Sequence, residues 1–243
     1  MAHMTRGWTL AGMALTGLGG VAAGVFIAGG AHGTSDKAAL EAVVHDYVLA
    51  HPDIIPEAID RFHANETAKV ISADRTAIET PFAGAWAGNP KGDVTLVMFT
   101  DYNCGYCRAS APDIDKLLAE DPKLKVVWRE IPVLGPQSDV AARVALAAAR
   151  QGRYLPFHRA VFADGRPDDA HLAAAGKAVG LDAGRVAVDS KSAAVAREVD
   201  ANLAMATRIG VTGTPAFVIG DKLISGAVGH DSLAKAIADA RKS

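Results

Sequence analysis

A buried strand that runs directly into a pair of cysteines limits the folds open to this chain. Only two cysteines occur among its 243 residues, Cys104 and Cys107, and two residues separate them. The almost continuously apolar run at 94–100 predicts a buried strand that ends just before the pair. Because the stabilisation by a disulfide grows with the loop that it closes, a bridge across two residues adds little stability. The pair therefore indicates redox chemistry.

The order of predicted elements around the pair is that of a parallel α/β unit. The strand over 94–100 is followed by a helix over 108–120 and a strand over 124–133. Next come a long helical stretch with Ser138 as its N-cap, strands over 216–219 and 222–225, and a closing helix from 230. Strand, helix and strand in this order form a parallel pair. The sequence therefore predicts an α/β, thioredoxin-like fold with a helical insertion at about 137–209, within a catalytic domain over 81–243.

The first 33 residues differ in composition from the rest. No Asp, Glu, Lys or Arg occurs from Trp8 to Ala31, and Arg6 stands just before this run. Such a segment is typical of a signal peptide or a retained membrane anchor, and a buried helix is the third interpretation. The first two interpretations place the rest of the chain outside the cytoplasm.

Residues 34–80 carry an apolar stripe at helical spacing. It consists of Leu40, Val43, Val44, Tyr47 and Val48, and it continues in Ile54, Ile55, Ala58, Ile59 and Phe62. From Glu66 to Glu79 the pattern turns mostly polar, which predicts a stalk. A helical pair this short cannot bury its stripe alone, so it packs either on the main domain or on copies of itself. Residues 81–92 form a turn-rich joint.

The charge balance excludes one class of partner. Lys and Arg number 25 and Asp and Glu 27, which gives a formal net charge of −2. Without a basic field the chain has no means of gathering nucleic acid. We expect no nucleic-acid partner.

The two sulfurs differ in their predicted positions on the following helix. At a helix start Cys104 faces unpaired backbone N–H groups and the positive end of the helix dipole, which favour its thiolate and predict the nucleophile. Cys107 lies one turn later and is predicted to be the buried, resolving thiol. The alternative is half of a zinc site, but no second C-x-x-C motif and no spaced histidine pair supply the other ligands. We expect no metal and no cofactor.

A second candidate feature is a proline at the start of a predicted strand. In the context of this element order, the Thr214-Pro215 bond is predicted to be cis. The backbone of Thr214 would then lie beside the sulfurs and pair with an extended substrate segment.

Four stretches together resemble one known family, the periplasmic DsbA-like thiol-disulfide oxidoreductases. They are FTDYNCGYC at 99–107, WREIPVLG at 128–135, QGRY and FH at 151–154 and 157–158, and GVTGTPAF at 210–217. The helical stretch at 47–59 is similar to the amino-terminal oligomerisation segment of the ScsC-like branch. The resemblance implies a periplasmic location, cysteine-containing exported protein substrates, a membrane redox partner of the DsbB or DsbD type, and a homo-oligomer formed through residues 35–80.

Several residues depart from the DsbA pattern. Gly105 and Tyr106 stand between the cysteines where oxidases of this family carry Pro-His, and together with Thr214 they resemble DsbC-type isomerases. Met98 occupies a position where relatives often bury a carboxylate, and Glu130 is the nearest acidic side chain, expected to be solvated or salt-bridged. The sequence therefore favours a disulfide isomerase. A DsbA-like oxidase, a copper-binding protein that uses the same thiolates, and a holdase chaperone are the alternatives.

Overall fold

A computed structural model describes residues 32–163 and 165–242. Its elements are, in chain order, α1 (His32–Ala50), α2 (Ile54–Glu79), β1 (Trp86–Gly88), β2 (Val94–Thr100), α3 (Gly105–Glu120), β3 (Leu124–Glu130), α4 (Pro136–Arg150), α5 (Tyr154–Ala163), α6 (Asp169–Ala178), α7 (Ala183–Asp189), α8 (Ala193–Ile209), β4 (Ala216–Ile219), β5 (Lys222–Ser225) and α9 (His230–Ala240). The predicted signal or anchor segment lies almost wholly outside the described residues. None of the helices described is long and apolar enough to cross a membrane.

The strands form one mixed sheet in the order β1-β3-β2-β4-β5. β2 and β3 are parallel, with Thr100 opposite Glu130, and β4 is antiparallel to β2. The predicted strand–helix–strand unit and the helical insertion are confirmed. β1, which lies in the predicted turn-rich joint, was missed because it is only three residues long and sits among Pro and Gly.

The two faces of the sheet bury different side chains. In β2, Leu96 and Met98 pack on the face that also holds the cysteines, whereas Val97 and Phe99 pack on the opposite face. Because side chains alternate along a strand, Thr100 continues the first set. Its neighbour Glu130 follows Trp128 on the same face of β3 in the same way.

The second half of α2 is docked on the sheet. Ile71 and Ile78 are fully buried with Val97 and Phe99 in the core on that face. The sequence analysis expected a polar stalk here. The two isoleucines lie seven residues apart, so they share one side of the helix and bury it, while the polar residues between them occupy the other sides.

A buried arginine joins the end of α2 to the sheet. Arg129 in β3 donates hydrogen bonds to the carbonyls of Ile78 (3.0 Å) and Thr80 (2.5 Å). It also pairs with Glu198 of α8 at 2.8 Å. Burial lowers the pKa of Arg129, and the charge of Glu198 opposes this shift. The end of α2 is therefore held by charge-assisted hydrogen bonds to its last carbonyls.

The amino-terminal apolar stripe is exposed. The chain divides into two units, one ending at Ile54 and the other beginning at Ile55. In the first unit, α1 presents large apolar side chains that are each more than half exposed, namely Leu40, Val43, Val44, Tyr47 and Leu49. In the second unit, the start of α2 exposes Ile55, Ile59 and Phe62. The apolar side chains of the predicted stripe are therefore accessible to solvent in each unit.

Candidate active site

Cys104 occupies the N-cap of α3, so the helix begins three residues earlier than the sequence indicated. Its backbone is extended, with φ −82° and ψ 114°, and its sulfur accepts a hydrogen bond from the Cys107 N–H at 3.3 Å. Both cysteines are free thiols. A side chain at this position accepts hydrogen bonds from the first backbone N–H groups of the helix, at the positive end of its dipole.

Cys107 lies behind Cys104 and is fully buried, whereas Cys104 is 6% exposed. Burial raises the pKa of the Cys107 thiol to about 12, against a lowering contribution from a hydrogen bond with the Asp101 backbone. The Cys107 sulfur is therefore protonated at neutral pH and shielded from solvent. The two thiols have different accessibilities, as a division between attacking and resolving roles requires.

The loop before β4 completes the site. The Thr214-Pro215 peptide bond is cis. The Cys104 thiol donates a hydrogen bond to the Thr214 carbonyl at 3.2 Å, and the Pro215 carbonyl accepts one from the Gly226 N–H at 2.8 Å. The fold thus brings Cys104, Cys107 and Thr214 together from separate parts of the chain.

The two residues between the cysteines lie at the surface. Tyr106 is 71% exposed, and a Cβ added at Gly105 would meet no other atom within 4 Å. Both residues therefore belong to the accessible surface next to Cys104 in the chain.

Glu130 is neither solvated nor salt-bridged, so that expectation was wrong. It is fully buried, and one carboxyl oxygen accepts a hydrogen bond from the Tyr154 hydroxyl at 2.5 Å. The other oxygen has no hydrogen-bond partner, and neither has the hydroxyl of Thr100 on the neighbouring strand. Burial raises the pKa of Glu130 to about 8. An uncharged, protonated carboxyl is therefore favoured at neutral pH.

Sequence reasoning missed the aromatic groups around Glu130. The Tyr102 hydroxyl and His158 Nδ1 lie 3.0 Å apart, and the His158 ring stacks on Tyr154. Burial lowers the pKa of His158 to about 3, which keeps the imidazole neutral. Tyr154 and His158 are four residues apart, so a helix over this stretch places them on the same side. This spacing was the signal in the sequence that could have revealed the aromatic groups.

Ser138 does not cap α4, as the sequence analysis expected. The N-cap is Gly135, and Pro136 occupies the first helical position. The buried Ser138 hydroxyl instead donates to Asp101 Oδ1 at 2.7 Å. Proline suits the first turn of a helix because it needs no N–H there, so the helix begins earlier than Ser138.

Within the described residues, no group of three or more His, Cys, Asp or Glu side chains is placed to hold a metal ion.

Two family models match the chain. The DSBA-like thioredoxin domain covers residues 95–238, and the copper resistance protein ScsC N-terminal domain covers residues 36–69. The first match spans more than half of the chain and contains both cysteines and the Thr214-Pro215 bond.

Solved structures show the same relationship. A thioredoxin-like oxidoreductase from Silicibacter pomeroyi is 40% identical, with a TM-score of 0.65 over 68% of this chain and 96% of that chain. A linker-deletion mutant of ScsC from Proteus mirabilis is 25% identical, with a TM-score of 0.69 over 87% of this chain and 98% of that chain. The thiol-disulfide exchange protein α-DsbA2 from Wolbachia pipientis is 30% identical, with a TM-score of 0.67 over 72% of this chain and 96% of that chain.

Curated relatives are much longer proteins. A Na(+)/H(+) antiporter NhaA 3 of Salinispora tropica is 30% identical over 160 residues, which are 63% of this chain and 24% of that protein. The chain thus spans about a quarter of the length of the first curated relative it matches. Because the family model matches more than half of its length, the chain belongs to the DSBA-like thioredoxin domain family.

Proposed function

We propose that this protein catalyses thiol-disulfide exchange in exported proteins through Cys104 and Cys107. One observation carries the proposal. The Cys104 sulfur caps a helix and lies within hydrogen-bond distance of the Thr214 carbonyl, while Cys107 is buried directly behind it. This geometry provides an activated attacking sulfur and a protected second sulfur in one site.

The exchange proceeds through two sulfur-transfer steps. The Cys104 thiolate attacks one sulfur of a client disulfide, forms a mixed disulfide and releases the other client sulfur as a thiolate. Cys107 then gives up its proton and attacks the Cys104 sulfur, which closes the Cys104–Cys107 disulfide and releases the second client thiolate. Two electrons pass from the protein to the client, and the reverse sequence oxidises a client dithiol. A membrane partner of the DsbB or DsbD type in the periplasm would reset the pair.

The proposal favours isomerisation over simple oxidation. An isomerase must hold a client while its disulfides reshuffle, and several active sites facing one another raise the effective concentration of reacting groups. The exposed apolar residues of α1 and the match of residues 36–69 to the ScsC N-terminal domain support a homo-oligomer. Gly105, Tyr106 and Thr214 support the isomerase by resemblance.

Copper binding by the same two thiolates is the second candidate function. The description of the matching amino-terminal family as a copper resistance domain favours it, and Cu(I) prefers thiolate ligands. The discriminating observation is exchange activity of the protein without any metal.

The test is refolding of a scrambled multi-disulfide protein, run beside oxidation of the same protein in its reduced form. We expect the metal-free protein to accelerate both reactions, with the larger acceleration in reshuffling. Acceleration of oxidation alone would favour the oxidase. If the protein accelerates neither reshuffling nor oxidation in metal-free buffer, and a redox partner restores neither reaction, the copper-binding alternative would be favoured.

The role of the apolar stripe is testable by substitution. Deleting residues 35–80 would also remove the buried Ile71 and Ile78, so exposed positions are the better targets. We expect Val43→Ser with Tyr47→Ser to yield a monomer whose isomerase rate falls about tenfold while dithiol oxidation persists.

Light scattering measures the mass of that variant, and the refolding assay measures its rate. Val188→Ser, at an equally apolar and exposed position in α7, is the matched control and should change neither. A monomeric parent protein, or an undiminished isomerase rate in the monomeric variant, would contradict the role of the stripe.

A further inference from the structure

The Cys107 thiol must lose its proton before its sulfur attacks the mixed disulfide. Burial raises the pKa of this thiol to about 12, so its thiolate is scarce at neutral pH. The side chain is also fully buried, so bulk water does not reach the sulfur. The proton therefore has to pass to a group inside the protein.

Two buried oxygen atoms without partners lie on the face of the sheet that holds the cysteines. Among the described residues, neither Glu130 Oε2 nor the Thr100 hydroxyl makes a hydrogen bond. The two residues are opposite each other in the parallel β2–β3 pair, at the end of β2 from which the chain runs on to Cys104. Both are fully buried, and an unpaired polar atom is costly to bury. Two such atoms next to a reacting thiol point to a role in its chemistry.

The Thr100 hydroxyl connects the carboxyl group with the thiol. Burial raises the pKa of Cys107, and the Thr100 hydroxyl is one of the groups that oppose this increase. The hydroxyl therefore acts on the thiol, while its neighbour across the strand pair is Glu130. Because a hydroxyl both accepts and donates a proton, Thr100 can relay one from Cys107 to Glu130.

The groups packed around Glu130 decide when it can accept a proton. Burial is the main cause of its raised pKa of about 8, which the hydroxyl groups of Tyr154 and Tyr102 oppose. The negative charge of Asp101 adds to the increase. Both tyrosines stay neutral at these pH values, and so does the His158 imidazole that stacks on Tyr154. At pH 7 only about one tenth of the Glu130 carboxyl groups are therefore ionised.

We propose that Glu130 controls the release step as the proton acceptor of Cys107, reached through the Thr100 hydroxyl, and that its own proton prolongs the mixed disulfide at neutral pH. The inference rests on the proposed exchange function and adds its regulation by pH. A client that stays bound for longer has more time to reshuffle its disulfides.

The proton and the electron pairs balance in both directions. When Glu130 is ionised, the Cys107 proton moves to the Thr100 hydroxyl as the hydroxyl proton moves to Glu130. The Cys107 sulfur then bonds to the Cys104 sulfur, and the client sulfur leaves as a thiolate. When Glu130 already holds a proton, this transfer is blocked. In the reverse reaction, protonated Glu130 returns the proton to the Cys107 sulfur as that sulfur leaves.

The test measures the rate of release from the mixed disulfide between pH 6 and pH 9. Reduced protein is mixed with the disulfide-linked dimer of a one-cysteine peptide, and samples are quenched with acid at successive times. Mass spectrometry then quantifies the peptide bound to Cys104. Formation of the mixed disulfide depends on the peptide concentration and release does not, so the two steps are separable.

The shape of the pH profile is the decisive result. In the parent protein, release should accelerate about a hundredfold between pH 6 and pH 9 and level off above pH 8, as the ionisation of Glu130 does. In Glu130→Gln, release should be about a hundredfold slower at pH 7, which is the lower range for general base catalysis. It should also rise about tenfold per pH unit without levelling, because it then follows the Cys107 thiolate alone.

A second variant keeps the test independent of the folding of Glu130→Gln. Thr100→Val removes a hydroxyl that has no partner and keeps the side-chain shape, so the fold should be little affected, and the levelling should again be lost. Glu66→Gln, exposed on α2, is the matched control and should keep the parental profile.

A purely structural role of Glu130 would lower release by the same factor at every pH and leave the levelling near pH 8 in place. That result, or levelling that persists in Thr100→Val, overturns the inference. Failure of the parent protein to form any mixed disulfide through Cys104 would instead overturn the proposed exchange function.

Discussion

Replacing Cys107 with serine is expected to make this protein a covalent trap for its clients. The proposed release step is attack by the Cys107 sulfur on the mixed disulfide, and serine has no sulfur to make that attack. Client proteins should therefore accumulate in disulfide linkage to Cys104. Turnover should be lost, because every cycle stops at the intermediate. Non-reducing electrophoresis followed by mass spectrometry of the adducts measures both results.

The matched control for the trap is Cys104→Ser. The remaining Cys107 thiol is fully buried, and burial raises its pKa to about 12, so it should form few adducts. Adducts of equal yield in the two variants would contradict the division of roles between the sulfurs. Adducts formed mainly through Cys107 would reverse it.

Replacing Glu130 with glutamine is expected to remove a stability cost that grows with pH. The pKa of Glu130 in the folded protein is about 8, against an ordinary value of 4.5. The unfolded chain loses this proton near pH 4.5 and the folded protein keeps it, so the free energy of unfolding falls as the pH rises between the two values. At about 1.4 kcal/mol per pH unit, the cost reaches roughly 5 kcal/mol by pH 8.

Urea unfolding at pH 5, 6.5 and 8.5 under reducing conditions measures the effect. The free energies of unfolding of Glu130→Gln and of the parent protein should differ little at pH 5. At pH 8.5 the variant should be more stable by about 5 kcal/mol. His158 acts in the opposite direction: its folded pKa of about 3 makes stability fall as the pH drops from 6.5 towards 3. Its contribution is shared by both proteins and cancels in the difference.

An exposed glutamate provides the control for that experiment. Glu66→Gln on α2 removes a surface ion pair with Lys69. It should therefore change the free energy of unfolding by about 0.5 kcal/mol or less, nearly independently of pH. A constant difference between Glu130→Gln and the parent across the pH range would show that Glu130 is not held protonated. The groups packed around it, Tyr102 and Tyr154, have raised pKa values and stay neutral throughout this range.

The central strands were predictable from the sequence because each forms a short run of consecutive apolar residues. β2 begins and ends where its apolar run does, and β4 and β5 also have their predicted bounds. β1 escaped detection because three residues give no periodicity and its pairing with β3 is set by distant parts of the chain. The docking of the second half of α2 was not predicted because its only buried side chains are two isoleucines that lie seven residues apart.

The candidate site was predictable only in part. Cys104, Cys107 and Thr214 stand in short motifs, so the sequence identified them together. The hydroxyl that donates to Glu130 comes from α5, and two of the donors to Asp101 come from a loop about thirty residues further along the chain. Such partners are set by tertiary packing and leave no local pattern around the acidic residue. This is why Glu130 was expected to be solvated or salt-bridged and Asp101 was not singled out.

Electron transfer between this protein and a dithiol client tests the central claim most directly. The oxidised protein is mixed, free of metal, with a reduced two-cysteine peptide, and both are followed by mass spectrometry. The account predicts that one peptide disulfide forms for each Cys104–Cys107 disulfide lost, and that Cys104→Ser abolishes the transfer. A peptide that stays reduced while the Cys104–Cys107 disulfide persists would contradict it.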